Sequence, residues 1–194
     1  MRTLTGTPLT RRELAVLALS PWFGVAAQAQ AEAPVLALLR AGGCAVLLRH
    51  GQTDPGVGDP PGFRLGDCAS QRNLSPEGRA QSVRIGDWFR ARRLQPTTVR
   101  SSAWCRCIDT AELAWGRHAL WSPLNSTFDD RALEPAAVDA MRTALASLPR
   151  ARFEVWVTHQ VNITALTGDF VSMGEAVLVG AGGAVLGRTQ FTEG

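Results

Sequence analysis

The sequence contains no lysine and no tyrosine, and its 194 residues include only three histidines and four cysteines. All 20 basic residues are therefore arginine, set against 17 acids for a formal charge of +3. Arg2, Arg11 and Arg12 fall in the first 29 residues beside one acid, Glu13, which leaves 17 arginines and 16 acids in the remainder. A net +1 over the body of the chain excludes a general nucleic-acid binder. No C-x-x-C pair occurs, and the spacing of Cys44, Cys68, Cys105 and Cys107 fits no zinc site. The apolar run from Leu14 to Ala27 is short for a bilayer span and is interrupted by Pro21. No cysteine follows it closely, so a lipoprotein anchor is not indicated. Repeats, linkers and low-complexity stretches are absent beyond this N-terminal region. What remains is 45% hydrophobic and 19% charged, enough to pack one core and too short for two sizeable domains.

Residues 1–33 have the three-part layout of a secretory signal: basic residues, an apolar run, then alternating small residues. Thr10-Arg11-Arg12-Glu13-Leu14 sets paired arginines directly before the apolar run, which resembles a twin-arginine export signal. Ala27-Gln28-Ala29 is the best small-x-small cleavage site, with Ala29/Ala31 and Ala31/Ala33 as alternatives. The expected organisation is an export signal over residues 1–29 and one domain over 34–194. That places the protein in the periplasm or otherwise outside the cytoplasm, with no stable membrane span after processing. An oxidising compartment permits a disulfide. Cys44 lies in an apolar strand-like run and reads as a small core residue. Cys68 then pairs with Cys105 or Cys107, tying a long polar loop to the helix beside it.

Along the domain, residues 44–48 (CAVLL) form a short apolar run of the kind found in strands covered on both faces. A loop rich in Gly, Pro and Asp follows from Gly51 to Asn73, long enough to suggest a functional role. Ser75-Pro76-Glu77 starts a helix with a capping hydroxyl, a proline at the first position and an acid at the positive dipole end. Ile85, Trp88 and Phe89 give that helix its buried stripe. A second strand is expected over 97–101 and a second helix over 104–115, with Cys107, Ala111, Ala114 and Trp115 on its apolar face. Pro135 opens a third helix with Val138, Met141, Leu145 and Leu148 on one side. Residues 153–157 read as an alternating strand, Ile163–Leu166 as a short helix, and 176–179 and 184–187 as two strands around a glycine turn. Alternating strands and helices imply an α/β domain with a mostly parallel central sheet flanked by helices.

Ligands of open α/β sheets collect at the carboxyl ends of strands. The first strand ends in Leu48-Arg49-His50-Gly51, the second in Arg100-Ser101-Ser102 with Arg106 one turn on, and the third in Val157-Thr158-His159. Two of the three histidines thus fall at strand ends. Arginine forks bind phosphate oxygens in pairs, and a histidine among them can attack phosphorus and form a covalent phosphohistidine. A carboxylic acid is still needed to protonate the leaving oxygen and then activate water.

Arg49-His50-Gly51-Gln52-Thr53 resembles the R-H-G-x-T signature of the histidine phosphatase superfamily, also called the phosphoglycerate mutase-like family. Asn73–Gln81, Ser101–Ala111 and Val157-Thr158-His159 resemble its later motifs, in family order, over roughly residues 43–168. The resemblance implies a three-layer fold, His50 as nucleophile, and a phosphate pocket completed by Arg49, Arg106 and His159. One branch of the family carries its acid directly after the second histidine, where this chain has Gln160. In the other branch a glutamate follows the second arginine, and Asp130-Arg131-Ala132-Leu133-Glu134 matches that context. Glu134 is therefore the expected proton donor, with Asp129, Asp130 and Asp54 as alternatives. Thr53, Arg64 and Arg72 are the expected substrate-binding residues. No metal or other cofactor is implied, and the expected partner is a small phosphorylated substrate. The loop D-P-G-x-G-D-P-P-G-F and the segment W-C-R-C look like those of the lipopolysaccharide-core heptose phosphate phosphatase group. The expectation is an exported phosphomonoester hydrolase acting on a sugar phosphate of the cell envelope. A phosphate-ester-binding protein with little turnover and a phosphoprotein phosphatase are the alternatives.

Overall fold

Five of the six residues of β1 (Cys44–Arg49) are buried, because the strand is covered on both faces. Cys44, Val46 and Leu48 point into one hydrophobic cluster and Ala45 and Leu47 into another, the period of two that a strand imposes. β4 (Phe153–Thr158) runs parallel to β1, β2 (Thr98–Ser101) pairs parallel with β4, and the short β3 (Ala119–Leu120) pairs parallel with β2. β5 (Glu175–Val179) and β6 (Val185–Gln190) add an antiparallel hairpin on the other side of β1. The strand order is β3-β2-β4-β1-β5-β6. This computed structural model describes residues 22–56 and 58–191.

Helices cover both faces, so the expected α/β architecture is present with an antiparallel margin. On one side lie α1 (Trp22–Ala41), α2 (Pro76–Ala91) and α3 (Cys105–Trp115), which contribute Val35, Leu39, Ile85, Trp88, Phe89, Cys107 and Ala111 to the first cluster. On the other lie α4 (Glu134–Ala146) and α5 (Gln160–Thr167), which bury Val138, Met141, Leu145, Ile163 and Leu166. α2 begins as its sequence predicts, with the Ser75 hydroxyl accepting from the Gly78 amide at 3.1 Å and Pro76 in the first turn.

The structure departs from the sequence reading in two elements. β4 does not alternate: all six of its residues are buried, Glu154 included. Its carboxylate is tolerated there because Arg100 Nε donates to it at 2.8 Å and Trp156 Nε1 at 2.7 Å. The second departure is α1, which runs unbroken through Ala29, the predicted cleavage site, and past Pro34. Its second half is tied down by Val35 and Leu39 in the core and by Glu32, which accepts from Trp88 Nε1 at 3.1 Å and Arg92 Nη2 at 2.6 Å. The rest of the predicted export signal, residues 1–21, lies outside the described residues. Among the described residues no helix is long and apolar enough to cross a membrane. Of the two disulfide pairings the sequence left open, Cys68–Cys105 is formed, while Cys44 and Cys107 are buried thiols.

The segment after β1 is pressed against α2. A Cβ on Gly78 would lie 1.8 Å from the Gln52 carbonyl oxygen, and one on Gly51 would lie 2.8 Å from Ser82 Oγ. Both positions require glycine for this close approach. Gly78→Ala is expected to lower the free energy of unfolding by about 1–3 kcal/mol through this overpacking. A urea denaturation series beside the wild type checks it.

Candidate active site

The register of the parallel strands sets the site. Arg49 stands opposite Thr158, and Ser101 opposite Val157, so β1, β4 and β2 end level with one another. The ladder continues one step: the His50 amide donates to Thr158 O at 3.1 Å and the Ser102 amide to Val157 O at 3.0 Å. His50, Ser102 and His159 therefore share the carboxyl edge of the sheet, where open α/β sheets receive ligands. The rings of His50 and His159 lie edge to face with centroids 5.4 Å apart. α3 starts just beyond β2 and delivers Arg106 in its first turn.

The hydrogen-bond partners assign the imidazole protons. His50 Nδ1 lies 2.8 Å from the Gly51 carbonyl oxygen, an acceptor only, so Nδ1 carries the proton and Nε2 keeps a free lone pair. His159 Nδ1 faces Arg106 Nη2 at 3.5 Å, and its Nε2 meets Ser102 Oγ at 2.8 Å. An arginine donates only, so Nδ1 is the acceptor and Nε2 carries the proton. Both rings are almost wholly buried. Burial and then the Arg106 charge lower the His50 pKa to about 3, with Arg49 and Arg72 each adding less than the Gly51 bond that opposes them. His159 is held well below 6.5 by burial, then by His50 and the same arginines.

Arg49, His50, Arg72, Arg106 and His159 open onto one cleft of about 320 Å³. Arg49 gives Nη1 to the Val171 carbonyl at 2.9 Å, and Arg72 gives Nη1 to the Gly56 carbonyl. The Nε atoms of Arg49, Arg72 and Arg106 are all buried and unpartnered. Buried donors without acceptors cost free energy, and the three guanidinium groups that carry them line one cleft beside a free imidazole lone pair, an arrangement suited to an oxyanion. The exposed ring of Phe128 lines the mouth, and Arg49 lies 5.6 Å from the centroid of the exposed Phe170 ring.

One carboxylate is sunk into this wall. Asp59 accepts from Arg106 Nη1 at 2.7 Å and Nη2 at 3.1 Å, from Trp104 Nε1 at 2.9 Å and from the Arg72 amide at 3.0 Å. Burial raises the Asp59 pKa, but these donors outweigh it and hold the carboxyl below its ordinary value. The sequence reading missed Asp59, whose only signal is its place in a loop too long to be a mere connection.

The other expected residues divide. Arg72 lines the cleft, as expected of a substrate-binding residue. Thr53 is buried behind Met173, to whose sulfur it donates at 3.7 Å, and Arg64 pairs with Asp67 at 2.5 Å on the loop surface. Neither lines the cleft. Glu134, the first choice as proton donor, opens α4 and pairs with Arg131 at 2.9 Å, also away from the lining. Of its alternatives, Asp130 accepts from the Ala132 amide at 3.1 Å and Asp54 is exposed, while Asp129 does line the cleft. Gln160 also lines it, but its amide is spent on Thr164, Asp169 and Val171. Among the described residues no cluster of three or more His, Cys, Asp or Glu is placed to hold a metal ion.

Residues 45–133 match the sequence profile of the histidine phosphatase superfamily (branch 1). The matched stretch carries Arg49, His50 and Arg106, and the structure adds His159 beyond it. Among solved structures, the protein TTHB049 from Thermus thermophilus is similar at 22% identity, with a TM-score of 0.52, over 76% of this chain and 99% of that one. The protein histidine phosphatase SixA complexed with tungstate is similar at 12% identity, also with a TM-score of 0.52, over 76% of this chain and 97% of that one. At these identities the likeness establishes a shared fold. No curated protein matches the sequence.

A histidine whose pKa is lowered on folding stays neutral in the folded protein while the unfolded chain binds its proton. Between pH 6.5 and about 3, His50 therefore makes stability fall as the pH falls. Carbon-bound ring-proton resonances of His50 and His159 are expected to hold their neutral positions from pH 8 down to pH 5. A midpoint near 6.5 for either ring would contradict the site geometry.

Proposed function

We propose that the protein is a metal-independent phosphomonoester hydrolase with His50 as the nucleophile. The observation that carries this reading is a neutral, buried imidazole with a free Nε2 on a cleft lined by Arg49, Arg72 and Arg106, whose donors are not all met within the protein. The lone pair of His50 Nε2 attacks phosphorus and the P–O ester bond breaks, the leaving oxygen taking a proton from a carboxylic acid. Water then attacks the phosphohistidine, its proton passing to that same carboxylate, and phosphate leaves with His50 restored. The arginines and His159 stabilise charge on the equatorial oxygens. Asp129, the proton-donor candidate on the cleft lining, is assigned the donor role.

The substrate class that fits is a small sugar phosphate outside the cytoplasm. The exposed Phe128 ring on the cleft lining offers an apolar face suited to the C–H face of a sugar beyond the phosphate. Export is supported by the disulfide and by the paired arginines before the N-terminal apolar run. A panel of sugar phosphates and phosphohistidine or phosphoserine peptides separates this class from a phosphoprotein phosphatase.

Hydrolysis of an aryl phosphate with excess chelator is expected in the wild type and not in His50→Ala. Loss of activity on chelation, or substantial activity in the variant, would overturn the mechanism. Asp129→Asn is expected to slow an alkyl phosphate by about 10²–10⁴-fold and an aryl phosphate with an activated leaving group far less. Equal slowing of both would remove Asp129 as the donor.

A further inference from the structure

We propose that Asp59 is a positioning residue: it clamps the far end of Arg106 so that the inner edge of the guanidinium, Nε and the remaining Nη2 hydrogen, is presented to the phosphoryl group. The inference rests on the phosphatase reading and adds a residue to it.

A guanidinium has five N–H donors in one plane. In Arg106 both hydrogens of Nη1 are committed, one to Asp59 Oδ1 at 2.7 Å and one to the Arg72 carbonyl at 3.2 Å. One Nη2 hydrogen goes to Asp59 Oδ2 at 3.1 Å. What is left is the second Nη2 hydrogen, engaged only in a long 3.5 Å contact with His159 Nδ1, and the Nε hydrogen, which is buried with no partner at all. These two lie side by side on one edge, toward the histidine pair, and are spaced to meet two oxygens of a tetrahedral anion. A rotation of the guanidinium would spoil both contacts at once, and Asp59 is the group that prevents it.

Asp59 is itself built in. Both side chains of the pair are 4% exposed. The carboxylate is held from two further directions, by the Trp104 indole and the Arg72 amide. Its loop is joined to α3 by the Cys68–Cys105 disulfide, one residue before Arg106, and by the Cys105 amide donating to Gln71 Oε1 at 2.9 Å. A carboxylate so fixed, on the outer fork of the arginine, belongs to the wall. It does not stand in for the anion.

The test uses the full chain with orthovanadate as the probe and an aryl phosphate as the substrate, each variant being corrected for its folded fraction. Asp59→Asn keeps the shape but turns donors toward Arg106, and is expected to weaken vanadate binding and lower kcat/KM by ~10²-fold, the scale of a misplaced reacting geometry. In an Arg106→Ala background the same change is expected to add nothing further, since the two act as one unit. Unchanged vanadate affinity in folded Asp59→Asn overturns the inference, as does a full additional loss in the Arg106→Ala background. Tighter vanadate binding also overturns it, because Asp59 would then be a plug competing with the anion. If Asp59→Asn does not fold, Trp104→Phe, which removes the indole donor, is expected to weaken vanadate binding several-fold, and no change overturns the inference. A wild type that neither binds vanadate nor turns over substrate fails the phosphatase reading itself, and this inference falls with it.

Discussion

Three guanidinium groups and two imidazoles share one cleft, and burying that much like charge sets the terms for everything around it. An arginine as enclosed as Arg106 is stable only when most of its donors are met. The carboxylate that meets them comes from a loop with little regular structure of its own. That loop folds around Asp59, which gathers the indole of Trp104 and the guanidinium of Arg106 from the start of α3 and the amide of Arg72 from the end of the loop. The same field keeps His50 and His159 neutral, so the residue with the free lone pair never has to shed a proton first. Compensation is incomplete: the Nε donors of Arg49, Arg72 and Arg106 are left without acceptors, and the charge of the three groups is what an anion would neutralise.

The scaffold meets this demand by simple means. Strands of equal register end level, so residues distant in sequence arrive at the same height above the sheet. Glycine at 51 and 78 lets α2 sit directly on the segment after β1, which leaves the His50 backbone little freedom. Thr110 reinforces it from α3, accepting from the Gly51 amide at 2.9 Å while donating to Arg106 O at 2.7 Å. One hydroxyl thus joins the helix that carries the arginine to the loop that carries the histidine.

Much of this was legible in the sequence, for a physical reason. Apolar runs and caps are local signals, so the order of the main strands and helices from Cys44 onward could be read, while the two-residue β3 and the full extents of α5 and β6 could not. His50, His159, Arg49 and Arg106 could be placed because strand ends are local too. Features that depend on tertiary pairing were hidden. Glu154 looks like the polar half of an alternating strand until Arg100 and Trp156 are seen to satisfy it. Asp59 looks like one more loop acid, since nothing nearby in sequence announces Arg106, 47 residues away, as its partner. Glu134 was favoured through its sequence context, whereas the geometry puts Asp129 on the cleft, a few residues earlier on the same connection. α1 was obscured because its alanine-rich start reads as the tail of a signal.

The Cys68–Cys105 bond closes a covalent ring that takes in Arg72, and it fastens the loop on which Asp59 precedes Cys68 to the helix that carries Arg106. Many enzymes admit substrate by swinging such a loop aside and closing it again. Here the hinge is welded. Traffic into the site then passes a doorway framed on one side by that fastened loop, with the Phe128 ring on its lining. If the proposed activity holds, selection would occur at that threshold, by the girth of what sits behind the phosphate. A rigid frame of this kind also ties competence to the moment of oxidation: until the two sulfurs join, the wall is a run of prolines and glycines without its main fastening, and the cleft lacks a fixed outer side.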